Sequence, residues 1–246
     1  MITEKSTPTA PGPHFSEASF DFLEELEHRN NREWFLEHKP TYEIELKERM
    51  LRIADAINAG LAEIAPEHVR APNKAVMRIY RDVRFARDKT PYKTHVAAFW
   101  PRQGLEKTGG AGFFVQIGVH GVMVAAGSYT PAAPQLFAIR EYLLGHHEHM
   151  RSVLSAAQRT GLAEPLAGNP LIRSPKGFDP EHPAADLLRN RHWALTSNLP
   201  GNAALGANLT ALVIERFRAM TPLVNLLNIP LAESTPLQRE ASTGRR

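Results

Sequence analysis

The spacing of apolar residues changes at Pro72, and that change limits what the chain can fold into. Upstream the period is helical. Ser16 stands as a cap before Phe20, Leu23 and Leu26, which share one helical face. Asn30 and Asn31 interrupt that helix. Asn31 caps a second one, with Glu33 in its first turn and Trp34 and Phe35 as its apolar anchor. Pro40 suits the first turn of a third helix, whose expected buried stripe is Ile44, Leu51, Ala54, Ile57, Leu61 and Ile64. Pro66 ends it.

Downstream of Pro72 the period is two. Met77, Ile79, Val83 and Phe85 alternate with Arg78, Tyr80, Asp82 and Arg84, which predicts a strand with one polar face; Arg81 breaks its apolar side. Residues 88–91 read as a turn, and 95–100 as a second strand. A glycine-rich polar loop follows over 104–112. Residues 113–119 and 122–126 flank His120 and Gly121, a hairpin signal. Thr130 and Pro131 predict the start of a long helix reaching about Ala157, with a stripe of Leu136, Ile139, Leu143, Met150 and Leu154. Residues 161–200 read as irregular with a short helix near 184–191, begun by Asp179 as cap. A last helix is expected over about 203–227. A helical part and an antiparallel part in one chain give an α+β class: a sheet of four or more strands packed with flanking helices.

Composition agrees with a folded domain: 43% of the 246 residues are hydrophobic and 22% are charged. No cysteine is present, which excludes disulfides, thiolate nucleophiles and cysteine-based metal centres. No run of eighteen apolar residues occurs, and 1–14 lack a secretory pattern, so a cytoplasmic protein without membrane contact is expected. The expected organisation is a flexible lead over 1–14, a single domain over 15–229 and a flexible tail over 230–246.

The net charge of +3 is small for this length, but its distribution is uneven. Between Arg78 and Lys93, six cations (Arg78, Arg81, Arg84, Arg87, Lys89, Lys93) face only Asp82 and Asp88, a local charge of +4. Arginine forks match carboxylate or phosphate oxygens in pairs. Three readings stay open: an ion-paired sheet face, a site for a small anion, and an extended nucleic-acid contact. For the anion site the candidate residues are Arg78, Arg81, Asp82, Arg84, Asp88, Lys89, Tyr92 and Lys93. Asp82 would orient the arginines, and Tyr92 or His95 would donate a proton if a reaction occurs. Other motifs carry less. His146 and His149 lie near one helical face but lack a third ligand, so no metal site is assigned. The 104–110 loop lacks the order of a phosphate-binding loop.

Two motifs give the chain a likeness. Residues Asn30, Asn31, Arg32, Glu33, Trp34 and Phe35 with Tyr42 form one. Arg-Asp-x-Arg-Phe at 81–85 with Asp-Lys-x-Pro-Tyr-Lys at 88–93 forms the other. Gly127, Pro131, Arg140, Gly177, Phe178, His182 and Pro183 continue the pattern. On these residues the chain resembles the uncharacterised family called domain of unknown function 2461, over roughly residues 15–225. It departs at Ala86, where serine is common, and at Phe113 and Phe114, where tyrosines are common. The resemblance implies a single α+β domain and no particular reaction or cofactor. The functional expectation is binding of, or action on, a small phosphate- or carboxylate-bearing ligand. The alternative is an open basic surface for nucleic acid or a protein partner. Neither the cofactor, nor the oligomeric state, nor whether the protein is an enzyme follows from the sequence.

Overall fold

A computed structural model describes residues 12–105 and 110–234. Residues 1–11 of the expected 1–14 lead, residues 106–109 of the glycine-rich loop, and 235–246 lie outside the described residues.

Four strands form one antiparallel sheet in the order β1-β2-β3-β4: β1 (His95–Pro101), β2 (Gly112–Gly118), β3 (Gly121–Ser128) and β4 (Trp193–Leu199). The expected hairpin is present as β2–β3, closed by Val119 and His120 with Gly118 opposite Gly121. One face of the sheet is apolar and covered. Rows such as Trp100, Phe113, Ala126 and Leu195, or Ala98, Val115, Val124 and Ser197, run across all four strands on that side.

Helix α8 (Leu209–Ser234) packs on β2 and β3 there. Its Phe217 ring centroid lies 4.9 Å from Phe113 and 6.0 Å from Trp100. Helices α4 (Arg49–Ile64) and α6 (Ala133–Arg159) pack on α8. Gly60 permits the α4 contact, since a Cβ there would fall 2.5 Å from Ile214.

The upstream helices form largely as the sequence predicts. Helix α1 (Glu17–His28) starts after Ser16, and α2 (Arg32–Glu37) starts after Asn31, whose Oδ1 accepts from the Trp34 N–H at 3.0 Å. Next comes a short α3 (Lys39–Thr41) containing Pro40, and then a π-helical stretch (Tyr42–Glu48) that runs into α4. The Ser19 hydroxyl donates to the Glu45 carbonyl at 2.8 Å, and Ser16 donates to the Glu45 carboxylate at 2.5 Å. A side-chain donor on a helical carbonyl is a known cause of a local change in helical pairing. The buried stripe is Leu46, Met50, Ile53, Ala54, Ile57 and Leu61, while Ile44 is exposed. Leu46, Met50 and Ile53 keep the four-and-three spacing that Ile44 does not.

Four further expectations change. The alternating segment 77–85 does not form a strand. With Val76 just before it, the chain here touches β1 and its own continuation through isolated bridges, Val76 to Ala98 and Tyr80 to Tyr92. The long helix starts at Ala133, not at Pro131, and bends at His146, whose φ of −126° leaves the helical region. Residues 161–200 contain β4, so they are not irregular throughout. Their short helix is α7 (Ala185–Leu188); Asp179 instead caps a turn by accepting from the Glu181 N–H at 2.9 Å. The last helix begins at Leu209 and continues past Pro222 and Pro230 to Ser234, so it includes residues 230–234 that the sequence reading assigns to the tail. No helix among the described residues is long and apolar enough to cross a membrane.

Candidate functional site

The basic run folds back on itself. Segment 76–81 runs antiparallel to 91–98 along the free edge of β1. Backbone bonds tie Met77 N–H to the Ala97 carbonyl (2.8 Å), Arg81 N–H to Pro91 (2.8 Å) and Lys93 N–H to Ile79 (2.8 Å). Pro91 offers no N–H, so the ladder cannot continue outward through it. Asn30 completes this region. Its side chain donates to the Tyr92 carbonyl at 2.9 Å and accepts from the Tyr92 N–H at 3.0 Å, as a neighbouring strand would. The Tyr92 ring is only 4% exposed and stacks on Phe35 with centroids 4.0 Å apart.

The loop 82–90 is held by its own charged side chains. Asp82 takes both a 3.0 Å and a 2.7 Å bond from Arg84. Arg81 donates to Asp88 at 2.5 Å and to the Thr90 hydroxyl. The Asp88 carboxyl is pushed down to about 2, first by the Thr90 N–H and then by Arg81. The Arg84 guanidinium likewise holds Asp82 below the usual carboxylate range. Lys89 donates to the Val83 carbonyl at 2.9 Å. Side-chain bonds to nearby backbone compete with a strand ladder, which explains why the alternating pattern gives a loop.

Beside this loop lies a hollow of about 1070 Å³ along the edge of β1. Of the eight sequence-predicted site residues, Arg78, Asp82 and Lys93 line it. Arg81, Arg84, Asp88, Lys89 and Tyr92 do not; the first four are spent on the loop and the fifth on the core. His95 is also outside the hollow, and burial followed by the Lys93 charge keeps its ring below the usual histidine range.

Three cations that the sequence reading did not single out join the wall: Arg70, Lys74 and Arg102. Their placement has a clear cause. Asn58 on α4 accepts from the Trp100 indole at 2.9 Å and donates to the Arg70 carbonyl at 2.7 Å. Gln103 donates from its backbone to Glu67 at 2.9 Å and from its side chain to Val69 at 2.5 Å. The buried His68 ring donates to the Trp100 carbonyl at 2.9 Å. These bonds clamp the turn at 66–70 to the end of β1, so Arg70 and Arg102 line the same hollow. Helix α5 (Pro72–Ala75) then carries Lys74 to the same wall. Only the antiparallel return of 76–81 joins these cations, so no local pattern announces them.

Among the described residues, five cations and one carboxylate, Asp82, line the hollow, and Arg84 already occupies that carboxylate. Among the described residues, no ion pair involves Arg70, Lys74, Arg78 or Arg102. Lys93 and Arg102 bracket β1, and at about 3.3 Å per residue the cations are strung along an edge rather than gathered at a point. Among the described residues no three histidine or acidic side chains converge as metal ligands. His146 instead stacks on Tyr142 with ring centroids 3.9 Å apart.

Sheet, helical layer and edge hollow define an α+β domain with a four-stranded antiparallel meander. The chain belongs to a family of conserved hypothetical proteins, domain of unknown function 2461, which it matches over residues 18–226. No curated protein and no solved structure matches it.

Proposed function

We propose that the hollow along β1 binds a small ligand bearing phosphate or carboxylate groups. One observation carries this reading: Arg70, Lys74, Arg78, Lys93 and Arg102 share a concave wall in which, among the described residues, the one lining carboxylate is Asp82, itself engaged by Arg84. Uncompensated guanidinium groups in a concavity favour oxyanions, which they meet with paired donors. Tyr80 is the uncharged side chain in the wall able to donate a hydroxyl or stack on a ring. The reading is one of binding, with no reaction assigned.

Thermal denaturation at constant ionic strength tests it, with pyrophosphate, citrate and adenosine diphosphate against chloride. A bound anion at about one hundred times its Kd raises the melting temperature by about 5–10 °C. The rise disappears in Arg70→Ala and Arg102→Ala and persists in Arg87→Ala, a cation of the same run that does not line the hollow. Shifts no larger than those given by chloride contradict the proposal.

A second reading has its own observation. Phe85 is 94% exposed, with the Arg84 guanidinium 5.9 Å from its ring centroid. An exposed ring among cations is what single-stranded nucleic acid stacks upon. Salt-sensitive oligodeoxythymidylate binding that Phe85→Ala abolishes favours this reading over the first.

A further inference from the structure

The uncovered face of the sheet is shaped as well as exposed. Across all four strands one row reads Phe99, Phe114, Ala125 and Thr196. The next row reads Pro101, Gly112, Gly127 and Ala194, and its two glycines and alanine keep the floor low. A side chain at Gly127 is blocked, since a Cβ there would lie 2.1 Å from the Trp193 carbonyl and φ is +136°. Met123, Tyr129 and His192 raise the walls. The result is an apolar trough of about 640 Å³. That is inside the range of roughly 300–1,000 Å³ for small-molecule sites. It crosses three strand spacings of about 4.8 Å, so it spans about 14 Å.

The trough and the basic hollow meet. Met77 lines both, held on the edge of β1 by its N–H bond to Ala97, and Arg78 follows it directly in the hollow. Methionine is flexible and polarisable, a suitable surface for a chain to pass over.

We infer that the ligand is an amphipathic anion: a phosphate or carboxylate head held by the cations of the hollow, with an apolar body about 14 Å long laid over Met77 and across the open sheet face. Charge complementarity fixes its polarity. The end that passes over Met77 beyond the edge of β1 meets Arg78 and Lys74, whereas on the sheet face Phe99, Phe114 and Met123 offer apolar contact. This inference rests on the anion reading above and adds the chemistry of the rest of the ligand.

Isothermal titration of the full chain with inorganic phosphate, decyl phosphate and decanol, each below any micelle threshold, separates the two claims. Decyl phosphate binds at least about tenfold tighter than inorganic phosphate, since two buried methylenes already supply that factor. It also binds tighter than decanol. Ala125→Leu, which fills the trough away from the core, removes the gain and leaves phosphate affinity unchanged. Met123→Glu at a half-exposed position does the same if Ala125→Leu does not fold. Equal affinity for phosphate and decyl phosphate overturns the inference while the anion reading stands. A gain that survives both variants, or decanol binding as tightly as decyl phosphate, also overturns it. Absence of binding by either phosphate overturns both.

Discussion

Two asparagine amides do the work of missing strands. Asn30 brackets the Tyr92 backbone, and Asn228 on α8 brackets Ala111, donating to its carbonyl at 3.2 Å and accepting from its N–H at 2.9 Å. A primary amide presents a donor and an acceptor side by side, as a peptide group does, so it satisfies buried backbone that no ladder reaches. His68 is the other residue on which local architecture depends. It is fully buried, with Phe113 edge-on at 4.9 Å, and burial keeps its ring below the usual histidine range, against the backbone bond to Trp100. Glu67 and Arg102 are the charged groups that face it. With its folded pKa below its unfolded value, the unfolded chain takes up the proton first as pH falls. Stability is therefore full above about pH 6.5 and declines below that value. His95 and His192, also lowered mainly by burial, act in the same direction. Urea midpoints measured at pH 7.5 and pH 5.0 check this: the midpoint falls at the lower pH, and His68→Asn narrows the difference. An unchanged midpoint contradicts it.

At the scale of elements, β3 and β4 are coupled through Gly127. No side chain fits between it and the Trp193 carbonyl, and its φ favours glycine. Gly127→Ala is expected to destabilise by roughly 1–3 kcal/mol from backbone strain, with the clash adding to this. Denaturant unfolding measures it, and a loss under about 0.5 kcal/mol, the size expected of an ordinary surface change, contradicts it. The elements differ in how legible they are. The β2–β3 hairpin was readable because Val115, Ile117, Val122 and Val124 alternate without interruption around a turn. Strand β4 was not, because Ser197 occupies a core-facing position; its hydroxyl accepts from Arg216 Nε at 3.0 Å, a partner that only α8 brings. The 77–85 segment has the opposite history. Its alternation is real, but Asp82 and Asp88 capture neighbouring donors and turn it into a loop. Local charge density points to Arg78 and Lys93. Arg70, Lys74 and Arg102 needed knowledge of a chain return that no short window contains.

For the whole molecule, an antiparallel sheet with helices on one face leaves the other face and an edge to be accounted for. The 72–94 excursion covers the edge of β1 and builds the hollow in doing so. Function in this account belongs to what the helical layer does not cover: a cationic edge and an apolar face, joined at Met77. The central claim is that the edge cations receive an anion and the loop cations do not. Nuclear magnetic resonance of arginine Nε–H groups during a pyrophosphate titration tests this most directly. The account predicts saturable shifts at Arg70, Arg78 and Arg102, with Arg81 and Arg84 unmoved in their pairs with Asp88 and Asp82. Equal small shifts at all five arginines, or none at any, would contradict it.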